Sequence, residues 1–370
     1  PDAATPRESP FSPMNENPEE QTAPTSTPPS GGRIKKNLMT WLKLAVSLLF
    51  IAIVIHSLDP KELAARVRNL DPVYLMASIM LSLTMVAVSA WKWWYLMRLQ
   101  GFAIPLARMY RWYFIGYFYS NFVPSNMGGD VVRAWLAGRQ VKATETALVS
   151  VFAERFTGMI FLLSMAVILP FGLANLWREP AVILGIVVAL GGLIGIALAW
   201  VVGRAGLRSE PARRGMEKIR HWVRADRPGR PARLWEKVSA VLSRFGVRAV
   251  ELWGILRRRP AALWAVFGLT ALHYALAVGN VVLAYRTFGV WPEAWSVACI
   301  LPVSLMVAMI PITLGNLGIA EGSYVYFFGL LGMSSELTLA MGLLLRLKII
   351  MLGAIGMLAQ AGERLEGVPA

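Results

Sequence analysis

Apolar residues run along this chain in blocks of about 20, the length that carries an α-helix across a bilayer core. The blocks are 38–57, 73–95, 150–172, 180–203, 261–286, 294–312 and 338–360. They predict an all-α polytopic membrane protein with about seven to eight transmembrane helices. Residues 1–32 break the pattern. Pro, Ser, Thr and Glu dominate there, and such a stretch buries too little apolar area to offset its ordering entropy. It reads as a disordered tail. It has no basic start, short apolar stretch and cleavage site in the manner of a signal peptide, so block 38–57 is expected to be an uncleaved anchor.

Two polar interruptions repeat inside the apolar pattern. The first is NFVPSNMGGDVVR, residues 121–133, and the block after it carries Arg155 ten residues past Glu145. The second is PITLGNLGIAE, residues 311–321, and the block after it carries Arg346 ten residues past Glu336. Pro and Gly are four apart in both, Pro124 to Gly128 and Pro311 to Gly315. The two registers, 187 and 191, differ by about one helical turn. This is the mark of an internal repeat, and the spacing alone leaves parallel and inverted arrangements open. Irregular backbone at membrane depth persists only inside protein or against a water-filled cavity, and paired interruptions in two halves point to a transport site. Re-entrant segments are therefore expected near 121–139 and 311–332. The organisation that follows is a tail (1–32), a first membrane half (33–203), a linking loop (204–259) and a second membrane half (260–370).

Charge sets the expected orientation. Arg33, Lys35 and Lys36 precede the first block, and residues 204–259 hold 16 Lys/Arg against 5 Asp/Glu out of a chain net charge of +15. Both belong on the cytoplasmic side by the positive-inside rule. Four blocks lie between them, an even number, so the stretch from Phe102 to Lys142 must enter and leave on one side. The loop's Arg residues share helical repeats with Trp222, Trp235 and Trp253, which suits an amphipathic helix on an anionic leaflet. No nucleic-acid motif accompanies them, so no nucleic-acid partner is expected. Trp91, Trp93, Trp94 and Tyr95 close the second block and read as an interfacial anchor.

Composition agrees with the membrane class. Apolar residues make up 56%, charged residues 16%, and mean hydropathy is +0.52, against about 25% charged in an ordinary soluble domain. Cys299 is the one cysteine, which excludes a disulfide framework and a thiolate metal cluster. The histidines His56, His221 and His273 have no neighbouring acid and no metal-ligand spacing. His273 reads as a helix-packing donor, and neither a metal nor a cofactor is expected.

The interruptions hold the candidate chemistry. Pro124 turns the chain, Gly128 and Gly129 permit a tight bend, and Asp130 suits an N-cap for the helix VVRAWLAGR. A helix start beside paired glycines offers free N–H groups to an anion, and Arg133 can close on phosphate bidentately. Asn121 and Ser125 add polar contacts, and Gly315, Gly318 and Glu321 repeat the arrangement. Glu154, Arg155, Arg346 and Lys348 lie within membrane blocks, where each charge costs about 2.5–3.5 kcal/mol at a helix centre and needs a partner or a cavity. Pairing of Glu154 or Glu321 with Arg155 or Arg346 inside the bundle and contact with a ligand both remain open here. The substrate-contact set is Arg133, Arg155, Arg346, Asn121, Ser125, Gly128, Gly129, Gly315 and Gly318, with Asp130, Glu154 and Glu321 as supporting acids.

The runs NFVPSNMGGDVVRAW, the ER of VFAERFTGM, and IPITLGNLGIAEG followed by an Arg-bearing helix resemble the lysylphosphatidylglycerol synthase transmembrane family, also called flippase-like. The resemblance covers about residues 35–360. The family often has Gly-Gly-Leu-Gly where this chain has Gly315-Asn316-Leu317-Gly318. The resemblance implies a domain that moves or presents a polar-headed lipid across the cytoplasmic (inner) membrane. The lipid would be an anionic phospholipid, a polyprenyl-phosphate lipid or a hopanoid-related lipid. About ten residues follow the last block, too few for the aminoacyl transferase of the best-known members, so a lipid-modifying enzyme would act in trans. Two alternatives stand beside transport: an integral lipid-modifying enzyme using Asp130 and Glu321, and a scaffold that recruits such enzymes through the basic loop.

With Cys299 replaced by Ala, cysteines introduced at Arg108 and Lys142 should react with an impermeant maleimide from the same side as one at Arg213. Labelling of Arg108 and Lys142 from opposite sides would refute the re-entrant topology.

Overall fold

A computed structural model of the chain describes residues 70–122, 128–206, 245–310 and 316–365. Block 38–57, the tail, most of the basic loop, Pro124, Ser125, Pro311 and Gly315 lie outside them. The helices are α1 (Pro72–Leu99), α2 (Leu106–Phe122), α3 (Gly128–Val141), α4 (Thr144–Ile168), α5 (Pro180–Gly206), α6 (Pro260–Thr287), α7 (Ala294–Ala308), α8 (Ile319–Gly329) and α9 (Ser335–Leu365). Residues 245–258 are also helical. Helix starts follow local chemistry: Asp71 caps α1 by accepting from the Val73 N–H at 2.9 Å, and both α1 and α6 open on Pro, whose missing N–H costs nothing there.

Among the described residues, five helical stretches are long and apolar enough to cross a membrane: Pro72–Leu99, Thr144–Gly172, Pro180–Val201, Pro260–Thr287 and Ser335–Ala361. They meet five of the seven expected blocks. The protein is a polytopic all-α membrane protein. Block 294–312 forms the 15-residue α7, about 22 Å long and shorter than a bilayer core. At 17 and 14 residues, α2 and α3 are also too short to cross alone.

The short helices form two antiparallel hairpins. In α2–α3, Tyr113 faces Arg133 and Gly116 faces Gly129. In α7–α8, Ser304 faces Ser323, with hydroxyls 3.3 Å apart. Each hairpin follows a 28-residue helix (α1 or α6) and precedes a long one (α4 or α9). The chain is thus a repeat of four helices, α1–α4 and α6–α9, with α5 and the basic loop between them.

The repeat is inverted. Equivalent helices α1 and α6 pack antiparallel: Asp71 N–H donates to the Thr287 carbonyl, Ser82 meets Asn280, Ser89 meets His273, and Lys92 meets Thr270. A two-fold axis along the membrane normal would leave equivalent helices parallel. Antiparallel packing places the axis in the membrane plane. The remaining contacts obey the same exchange, since α2 packs on α9 and α7 packs on α4.

Aliphatic faces fill the space between these layers. Val281, Tyr285, Cys299, Ile300, Phe328 and Met341 are among the residues of one cluster, and Trp93, Met109, Ile115, Ala134 and Val151 belong to another. The end of the basic loop docks on the bundle, with Leu252 and Leu256 set against Leu96, Val149 and Val266 while Val247, Val250 and Trp253 stay exposed. Leu184, Val187, Ile194 and Leu198 of α5 are exposed apolar groups suited to lipid.

The α2–α9 contact depends on glycine. A Cβ at Gly356 would sit 1.9 Å from the Phe114 carbonyl oxygen, which is backbone and cannot give way. Gly356→Leu should therefore destabilise the protein by about 3 kcal/mol or more. Gly195→Leu, where nothing lies within 4 Å, should be silent, and thermal unfolding in detergent distinguishes the two.

Candidate functional site: two acid–arginine clasps

The helical phase of α3 brings Asp130 and Arg133 to one face. Asp130 is the third residue of α3, inside its first turn. It serves as a pairing acid rather than the N-cap expected from sequence. One of its oxygens accepts from Arg133 Nε at 3.0 Å, and the carboxylate receives two parallel bonds from Arg155 of α4, each 2.8 Å. This bidentate grip fixes direction as well as distance.

Arg133 is buried at 1% exposure, and its second partner is Glu154 at 2.7 Å. Tyr113 donates to the other Glu154 oxygen at 2.6 Å, and the guanidinium stacks over the rings of Tyr113 and Trp93. Lys92 closes the cluster by donating to the Glu154 carbonyl at 3.2 Å. Two guanidiniums, Arg133 and Arg155, thus face two carboxylates, with the Lys92 amine bonded to the main-chain carbonyl of Glu154 and to Thr270 Oγ1 beside them. Arg155 is the twelfth residue of a membrane helix, about 16 Å from its start, yet its side chain is 58% exposed.

The second clasp repeats the first with simpler wiring. Glu321 lies in the first turn of α8, as Asp130 does in α3, and pairs with Arg346 Nε from α9. Arg346 is also the twelfth residue of its helix, and the pairs are equally spaced, with 25 residues from Asp130 to Arg155 and from Glu321 to Arg346. Glu321 additionally accepts from the Gly318 N–H at 2.8 Å. Arg346 donates to the Asn316 carbonyl at 3.2 Å, and Asn316 donates to the Ala308 carbonyl. Asn316 has φ +56° and Gly318 φ +82°. Asn tolerates that left-handed backbone better than most residues, which explains how it stands where the family often has Gly. Arg346 is 23% exposed, so this clasp is the more closed of the two.

Several sequence expectations find their places here. Arg133, Arg155, Asp130 and Glu154 converge, as do Arg346, Glu321 and Gly318. Glu154 pairs with Arg133 and not with its neighbour Arg155, because adjacent helical positions point about 100° apart. Gly129 is closely packed: a Cβ there would lie 2.0 Å from the Gly116 carbonyl oxygen. Gly128 opens α3. Asn121 stands apart, at the end of α2, donating to the Ile349 carbonyl of α9 at 3.5 Å. Trp93 is fully buried and donates to Ser150 at 2.9 Å, so it is not an interfacial anchor, whereas Trp91 is exposed. Lys92 and Tyr113 were missed. A charge in the middle of WKWWY was the available signal.

Inverted halves, each carrying an acid–arginine pair between a short helix and the long helix after it, define a polytopic all-α membrane protein. The chain belongs to the lysylphosphatidylglycerol synthase TM region family, whose profile matches residues 40–356. Two UPF0104 membrane proteins of Methanothermobacter thermautotrophicus are similar to it. One is 24% identical over 85% of this chain and 93% of its own length, and the other is 24% identical over 83% and 88%. No solved structure matches.

Glu154→Gln leaves Arg133 and Arg155 to share the Asp130 carboxylate and should cost about 3–5 kcal/mol, and Arg133→Met in the same chain should recover most of it. Glu251→Gln, which removes the exposed Arg248 pair, should cost under about 1 kcal/mol. Thermal unfolding of the purified variants measures both.

Proposed function

We propose that this protein is a flippase-like transporter that moves or presents a phosphate-bearing lipid across the membrane it spans. The observation that carries the reading is Arg155, an exposed guanidinium near the middle of a membrane helix. An exposed guanidinium at that depth needs water or an anion beside it. Asp130 occupies the bidentate face of Arg155, and a lipid phosphate offers the same planar pair of oxygens. A headgroup can therefore replace Asp130 on Arg155 while Glu154 keeps Arg133 neutralised. Its tails remain in hydrocarbon, and the equivalent Glu321–Arg346 clasp repeats the exchange in the other half. The family description, which concerns the transmembrane region of a lipid synthase, agrees with a phosphate-bearing lipid as the cargo.

The test uses purified protein in vesicles of phosphatidylethanolamine and phosphatidylglycerol with a fluorescent phosphatidylglycerol as probe. The wild type should speed exchange between leaflets, and an Arg155→Gln, Arg346→Gln double variant should insert and fold but lose at least tenfold in rate. Lys in place of Arg155 should rescue only in part, because an ammonium binds phosphate at a single point. Unchanged exchange by a stable double variant refutes the reading. Hydrolysis or headgroup transfer by the wild type would place the protein among lipid-modifying enzymes.

A further inference from the structure

Lys348 is a buried charge that the two clasps leave unused. It lies on α9, two residues beyond Arg346, and two residues rotate a side chain by about 200°. Arg346 therefore reaches α8, and Lys348 reaches the crossing of α1 and α6 on the opposite side. There Nζ donates to Ser78 Oγ of α1 and Asn280 Oδ1 of α6, both at 2.6 Å, and the residue is 3% exposed. The acceptors are themselves tied together, since Ser78 Oγ donates to Asn280 Oδ1 at 3.1 Å.

Among the described residues, Arg133, Arg155 and Arg346 each hold a carboxylate, and Lys92 donates to the main-chain carbonyl of Glu154 and to Thr270 Oγ1 within the first clasp. Lys348 also holds only neutral oxygens, at a crossing outside both clasps. A primary amine has two N–H donors and its ammonium form has three, and the site supplies two acceptors. The neutral amine places both of its N–H groups on these two oxygens. The ammonium leaves a donor unmet and an isolated charge away from water, a costly combination.

The surrounding titratable groups are engaged elsewhere. On α1, Lys92 lies 14 residues along, about 21 Å away beside Glu154. On α6, His273 is bonded to Ser89, and Arg286 is stacked on Tyr74 and Trp291 at the helix end. On α8, Glu321 is held by Arg346, and Tyr324 packs edge-on to Phe328. On α2, Tyr113 belongs to the first clasp and Tyr119 accepts from Gln360. Glu336 is three turns away on α9 itself.

We propose that Lys348 is a proton-binding site that couples movement of α9, and with it the Glu321–Arg346 clasp, to the uptake and release of one proton. Uptake from water turns the amine into an ammonium whose third N–H has no acceptor, which draws α9 away from the α1–α6 crossing. Release of that proton to water restores the two-bond fit. The inference rests on the transport reading, with the proton as the coupled ion.

The same vesicles and fluorescent phosphatidylglycerol test it, now with an imposed pH gradient and a trapped pH dye. The wild type should move protons together with lipid and respond to the gradient by up to about tenfold per pH unit, the change in proton activity. Lys348→Met, fixed neutral, and Lys348→Arg, fixed charged, should both lose that response, whatever rate each shows without a gradient. A merely structural role predicts altered rates with the gradient response intact, and that result overturns the proposal. A wild type that moves lipid without sensing the gradient also overturns it while leaving transport standing. If the wild type moves no lipid, the transport reading fails, and NMR of isotope-labelled lysine in the full-length protein still decides the site. The signal lost in Lys348→Met should show both amine and ammonium forms over the pH range in which the protein stays folded. Ammonium throughout overturns the proposal.

Discussion

Charge in hydrocarbon is the constraint from which the rest of this structure follows. A guanidinium inside a bundle must find a carboxylate, and a carboxylate held there must find donors for its remaining lone pairs. Arg133 shows how far this reaches. Its neutralisation engages Asp130 one turn earlier and Glu154 on the next helix, while Tyr113, Trp93 and Lys92 complete the shell from α2 and α1. Four helices are thereby fixed around one side chain. The buried network specifies their register, and apolar packing fills what remains.

Inversion explains why the same solution occurs twice. A short hairpin that enters the bundle and turns back leaves polar helix starts at depth. In each half, the acid of the first turn answers an Arg on the twelfth residue of the following long helix. The halves then diverge. The first adds Glu154, Tyr113 and Lys92 and keeps Arg155 open, whereas the second ties Arg346 to the backbone of Asn316 and keeps it more covered.

Much of this was legible in the sequence because hydrocarbon is an exacting solvent. The long apolar helices, the two broken segments and the candidate Arg residues all follow from what a bilayer forbids. The pairing rule was less visible. The spacings noticed first, Glu145 to Arg155 and Glu336 to Arg346, mark equal positions on the long helices, but the acids that bind the Arg residues come from the preceding short helices, 25 residues away. Trp93 misled because residue type favours the headgroup region. Its helical phase, shared with Ala90, Leu96 and Met97, points inward, and all four are buried. Ser78 and Asn280 gave no signal, since their meeting with Lys348 joins positions 270 and 68 residues apart.

The glycines of α9 carry a mechanical meaning beyond packing. Gly353 and Gly356 let that helix lie against the backbone of α2. The positions related to them by the 191-residue register hold Leu162 and Met165 on α4, long side chains where α9 has glycine. Backbone against backbone is a stiff joint with little room to slide, whereas a seam of long, flexible side chains yields. The α2–α9 seam is therefore the rigid edge of the bundle. Any displacement of α9 carries α2 with it, so that the two helices travel as one body.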